Sequence, residues 1–155
     1  MHLAQLNVAR AKGHREDPGM RGFFDNVEHV NAMAESAPGF VWRLKDESGD
    51  ATDIRVFNDP LLLVNLSVWA SHEALHAFVY ESDHMRFVRQ RTDWFERPTE
   101  AHTVLWWVQP GHTPSLEEAW ERLTRLRTLG ATPEAFTFRS TFPPPSDGAQ
   151  STGNQ

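Results

Sequence analysis

Apolar and polar positions change period along this chain, and the changes mark its elements. His2 to Arg10, HLAQLNVAR, alternates loosely and predicts a first strand. Asp17-Pro18 predicts a helix start, with Asp as cap and Pro in the first turn, where its missing N–H costs nothing. Met20, Phe23, Phe24, Val27, Val30, Asn31 and Ala34 then share one helical face, so Asn31 is a polar residue inside an apolar stripe. Pro38-Gly39 ends that helix, and Phe40 to Lys45 predicts a second strand. Leu61 to Trp69, LLLVNLSVW, is an apolar run with few polar interruptions and predicts a buried third strand. Ser71 is a good N-cap for a helical pattern that continues to Phe95, with a break expected near Glu81-Ser82-Asp83. Ala101 to Gln109 predicts a fourth strand. Ser115 caps a further helix to Leu129, with Leu116, Ala119, Trp120, Leu123 and Leu126 on one face, and Ala135 to Phe142 suits a short fifth strand.

That order, β–α–β–β–α–β followed by a helix and a short strand, predicts an α+β fold with a ferredoxin-like protomer. One domain is expected over residues 1–142, with an unstructured tail at 143–155, where apolar residues are scarce. An antiparallel sheet with helices on one face leaves its other face needing cover. A second copy of the chain is the natural cover, which gives the expectation of a homodimer. Trp106 and Trp107 must point to opposite sheet faces, one toward the helices and the other toward that partner.

Composition narrows the partners. Six Trp and ten Phe against one Tyr supply large apolar area for a core, an interface or a flat ligand. A formal charge of −6 without a basic run argues against nucleic acid. The absence of cysteine excludes disulfides and zinc–thiolate sites. No apolar stretch approaches a membrane span and residues 1–10 lack the core of a signal peptide, so a cytoplasmic location is expected.

Candidate chemistry centres on the second half of the long helical pattern. His84, Phe87, Val88, Arg91, Trp94 and Phe95 fall on one face, so an apolar stripe carries a His and an Arg. Burying a charge without a partner is costly. His84 and Arg91 are therefore the candidate catalytic pair, meeting a carboxylate, an enolate or a haem propionate, with His84 also a candidate general base or haem ligand. The purely structural alternative is an Arg91 ion pair and a hydrogen-bonded core His84. Asn7, Asn31, Trp69 and Trp94 are the candidate ligand-binding residues. His72 and His76 match H-E-x-x-H by letter. However, His72 sits at the helix start and Leu75 and Phe78 define the buried face, so no metal site is assigned. His112, in the turn before a helix, reads as a cap or surface residue.

PGFVWRL at Pro38 to Leu44, SVWAS at Ser67 to Ser71, LHAFVY at Leu75 to Tyr80, LWWVQPGH at Leu105 to His112 and TPEAFTF at Thr132 to Phe138 resemble the bacterial family called domain of unknown function 3291. The similarity runs to about Arg139. That family is grouped with dimeric α/β-barrel proteins, among them haem-degrading monooxygenases, cofactor-free quinone-forming monooxygenases and small stress-responsive proteins. The resemblance implies a ferredoxin-like protomer and a barrel-forming dimer, and no particular activity. Haem-degrading members use an Asn in the first strand, a Trp in the helix after SVW and a His further on. Asn7 matches the first. Ungapped alignment puts Phe78 at the Trp position and Val88 at the His position, so haem is not supported by the ligand position and the cofactor is left unknown.

Two functional expectations follow. One is an aromatic-lined small-molecule pocket, used for monooxygenase-like or isomerising chemistry on an aromatic or anionic substrate. The other is a non-catalytic dimeric ligand-binding or stress-related protein. The tail carries no apolar stripe to dock, so deleting Ser146 to Gln155 is expected to leave the melting temperature unchanged; a fall of many degrees would show that it packs on a neighbour.

Overall fold

The computed structural model describes residues 1–14, 16–45, 61–81 and 91–145. Its elements are β1 (His2–Arg10), a single 3-10 turn (Pro18–Met20), α1 (Arg21–Ser36), β2 (Phe40–Arg43), β3 (Leu62–Trp69), α2 (His72–Glu81), a short α3 (Arg91–Trp94), β4 (Thr103–Val108) and α4 (Leu116–Leu129). The four strands form one antiparallel sheet in the order β2-β3-β1-β4. That order, with its βαββαβ connectivity, is the ferredoxin-like arrangement expected from the sequence.

Several local signals act as their chemistry requires. Ser71 Oγ accepts from the Ala74 amide at 3.1 Å, and Ser115 Oγ accepts from the Glu118 amide at 3.1 Å. Gly130 closes α4 with φ of 76°. Gly39, at φ of 84°, has a second reason to be glycine: a Cβ there would lie 2.4 Å from the Ala74 side chain, so its absence lets α2 approach β2. Asp17 departs from expectation. Its side chain makes no cap bond to the helix and instead accepts from the His14 amide at 2.8 Å, and a 3-10 turn precedes α1. The fifth strand shrinks to one bridge, Leu105 with Phe136, which closes part of the outer edge of β4. The break expected at Ser82 and the tail beyond residue 145 lie outside the described residues.

Strand register divides the sheet into two faces. Leu3, Gln5, Asn7 and Ala9 share a face with Trp69, Ser67, Asn65 and Leu63 of β3 and with Trp107, Leu105 and Thr103 of β4. α1 and α2 lie on this face, where Leu3, Trp69, Leu75, Phe78, Leu105 and Phe136 form a buried cluster with Val30, Met33 and Ala34. Ala4, Leu6, Val8, Val64, Leu66, Val68, Val104 and Trp106 line the opposite face.

That opposite face is not bare. Ala119, Leu123 and Leu126 of α4 pack on it, and Trp106 is wholly buried there. Glu118 fixes the start of α4 to the sheet: one oxygen accepts from the Trp106 indole at 2.9 Å and the other pairs with His112 Nε2 at 2.7 Å. Part of the face for which a second copy was expected is met by the chain's own α4, which packs on β1 and β4. Trp107 points to the other face; its indole donates to the Phe142 carbonyl at 2.9 Å and its ring lies near Phe136. Leu123 is fully buried at the centre of the α4 contact, so Leu123→Ala is expected to cost about 2–5 kcal/mol in urea denaturation. A cost near zero would show that α4 does not hold to the sheet.

Candidate functional site

On the face beneath α1 and α2 the two ends of the sheet are aromatic and the middle is polar. At one end Trp69 stacks on Phe78 with centroids 5.2 Å apart and meets Phe40 edge-on at 5.5 Å. At the other end Trp94 packs with Ala11, Met20, Phe23, Phe24, Leu63 and Phe95. Between them stand Gln5, Asn7, Asn65, Ser67 and Thr103, all on the same face by register.

These side chains form a connected network. Gln5 Nε2 donates to Asn65 Oδ1 at 3.0 Å and to Ser67 Oγ at 2.9 Å. The Trp69 indole donates to the same Ser67 oxygen at 3.0 Å. Asn7 Nδ2 donates to Thr103 Oγ1 at 2.9 Å. Each bond sets what remains free. With its oxygen held by Gln5, Asn65 presents its amide N–H groups; with its nitrogen held by Thr103, Asn7 presents its carbonyl. Ser67 Oγ accepts twice, which leaves its hydroxyl proton to donate.

Burial shows where this network opens. Gln5 and Ser67 are buried and Asn7 is half-buried, yet Asn65 is exposed. Asn65 belongs to an interior strand and lies on the face on which α1 and α2 pack. Among the described residues that face carries a polar middle, exposed at Asn65, between two aromatic clusters.

The α1 wall contributes two notable groups. Asn31 is 7% exposed, on the sheet-facing stripe with Val27, and its Nδ2 has no hydrogen-bond partner. Glu35, one turn on, accepts from Arg43 Nε at 3.0 Å and pairs with Lys45 at 3.0 Å. The Lys45 hydrogen bond, seconded by Arg43, holds the Glu35 carboxyl below the ordinary carboxylate range.

The sequence-derived candidates separate accordingly. Asn7 and Asn31 belong to the middle zone. Trp69 and Trp94 are buried in separate clusters at opposite ends of this face and do not meet each other. His84 lies outside the described residues, and so does the side chain of Arg91, whose backbone opens α3. His72 is half-buried and His76 exposed, with centroids 6.0 Å apart beside Phe138. Among the described residues no group of three or more His, Cys, Asp or Glu is placed to hold a metal. Gln5, Asn65, Ser67 and Thr103 were missed by the sequence reading. Asn65 and Ser67 had a signal, as polar letters two apart in LLLVNLSVW, which places them on one strand face.

The sheet order and connectivity make this an α+β fold with a ferredoxin-like protomer. The chain belongs to the family described as domain of unknown function (DUF3291), whose model matches residues 2–152. No curated protein matches it. Among solved structures it is similar to SnoaB, a cofactor-independent oxygenase from Streptomyces nogalater, at 15% identity over 70% of this chain and 93% of that one, with a TM-score of 0.50. It is also similar to a conserved protein from Methanosarcina mazei Go1, at 13% identity over 70% and 94% of the two chains, with a TM-score of 0.51. At these identities the likeness is one of fold. No helix among the described residues is long and apolar enough to cross a membrane.

A carboxyl whose folded-state pKa is lowered adds stability above the ordinary carboxylate range and loses it as pH falls through its folded value. Glu35→Gln is therefore expected to lower the melting temperature at neutral pH and to have no effect once the carboxyl is protonated in acid. An equal loss at both pH values would mean that Glu35 acts through packing.

Proposed function

We propose that the cleft between the sheet and α1–α2 binds a flat, oxygen-bearing aromatic molecule and promotes its reaction with molecular oxygen. The observation that carries this reading is Asn65, exposed on the helix-covered face of an interior strand with its carbonyl tied to Gln5. A group so placed donates N–H to whatever enters, and the aromatic residues at either end suit flat rings.

The described floor consists of amides and hydroxyls, which do not ionise near neutral pH. Such a floor favours a substrate acidic enough to supply its own anion. N–H donors aimed at the enolate or phenolate oxygen then stabilise the electron-rich form that reacts with oxygen. The balance is simple: a ring CH2 becomes C=O, one atom of O2 enters the product, and the other leaves as water with both hydrogens. All four electrons come from the substrate. Similarity of fold to a protein described as a cofactor-independent oxygenase supports this chemistry, as does the grouping of the family with quinone-forming monooxygenases.

The same floor supports a second reading, a non-catalytic binding protein, because nothing described on it transfers a proton. Oxygen uptake with 1,8-dihydroxyanthrone as probe separates the two. The protein is expected to raise uptake above the buffer rate. Asn65→Ala is expected to remove most of that gain and to weaken probe binding tenfold or more, equivalent to about 1–3 kcal/mol for a hydrogen bond to a charged group. Binding without faster uptake would leave the binding protein; neither would remove both readings.

A further inference from the structure

We infer that Asn7 and Asn65 read the ligand as one donor–acceptor pair, and that Thr103 is the positioning residue that sets the polarity of that pair. The ligand class is a flat ring carrying an acceptor oxygen beside an N–H or O–H donor. This rests on the binding reading proposed above and assigns the polar edge of its occupant.

Asn7 and Asn65 stand directly opposite each other on β1 and β3, and Thr103 stands opposite Asn7 on β4. Side chains paired in this way project from one sheet face with Cβ atoms about 4.5–5.5 Å apart. Asn65 is exposed and Asn7 half-buried, so both are open on that face. Among the described residues their amides do not bond each other; each is turned by a third side chain. Gln5 Nε2 donates to Asn65 Oδ1 at 3.0 Å, which turns Asn65 Nδ2 away from Gln5. Asn7 Nδ2 donates to Thr103 Oγ1 at 2.9 Å, which leaves Asn7 Oδ1 on the side of β3. The face therefore offers an acceptor from β1 next to a donor from β3. A hydroxyl or ring N–H meets the first, and a carbonyl or enolate oxygen meets the second. A site built to bond a donor rejects the analogue that lacks one, because its own acceptor is then left unpaired.

The test uses 2-quinolone, whose ring N–H adjoins its carbonyl, and coumarin, the same bicycle with a ring oxygen in place of the N–H. Binding is read by isothermal titration calorimetry. The native protein is expected to bind 2-quinolone about tenfold or more tightly than coumarin. Thr103→Val keeps the branched shape and removes the acceptor that holds Asn7, so the preference is expected to fall to about threefold or less. Asn7→Asp carries oxygen at both amide positions and offers an acceptor whichever way it turns. Adding it to Thr103→Val is expected to restore the preference, which a purely structural role for Thr103 would not produce. A preference retained in Thr103→Val, or not restored by Asn7→Asp, overturns the inference. Equal binding of the two ligands by the native protein, with both lost in Asn65→Ala, overturns it too and leaves the binding reading standing. Binding of neither ligand overturns the binding reading and the inference together.

Discussion

A glutamine buried in the middle of a sheet face obliges its neighbours to be polar. Gln5 is 8% exposed, and each N–H of its amide needs an acceptor. Asn65 and Ser67 supply them from the adjacent strand. Ser67 in turn receives the indole of Trp69, which joins the polar middle to the aromatic end. The network cannot be thinned one member at a time, since each removal leaves a buried donor or acceptor unpaired, at about 1–3 kcal/mol. An apolar middle would pack more simply. That the chain keeps amides there, with one of them exposed, is the reason for reading the region as a binding floor.

The two sheet faces have different work. Beneath α4, the even-numbered positions of β1 are apolar from Ala4 to Val8 and wholly enclosed. Beneath α1 and α2, the odd-numbered positions run from Leu3 through Gln5 and Asn7 to Ala9. α4 packs on the β1 and β4 part of the first face, with Glu118 holding Trp106 from the start of the helix.

Much of this architecture was legible from period alone. The alternation of HLAQLNVAR, the caps Ser71 and Ser115, and the stop at Gly130 each mark a boundary because they act over a few residues. Which elements face each other was less legible. Leu116, Ala119, Leu123 and Leu126 announce an amphipathic helix but not its partner, and the packing of α4 on β1 and β4 was not foreseen. The site was legible in part. Asn31 stood out as polar within an apolar stripe, and Asn7 as polar within a strand. Asn65 was hidden within LLLVNLSVW, since the meaning of one polar letter depends on which face is open, and that is set by helices far away in sequence. Periodicity also pointed to His84 and Arg91, whose side chains lie outside the described residues.

The central claim is that the side-chain amide of Asn65, exposed on the sheet face beneath α1 and α2, meets a flat aromatic occupant. The most direct measurement is a 15N–1H spectrum of the side-chain amides during titration with 2-hydroxy-1,4-naphthoquinone. The Asn65 signal is expected to move along a saturable binding curve, while Asn26, whose Nδ2 donates to the Gly22 carbonyl on exposed α1 surface, stays in place. Movement of Asn26 with Asn65 fixed would contradict the account.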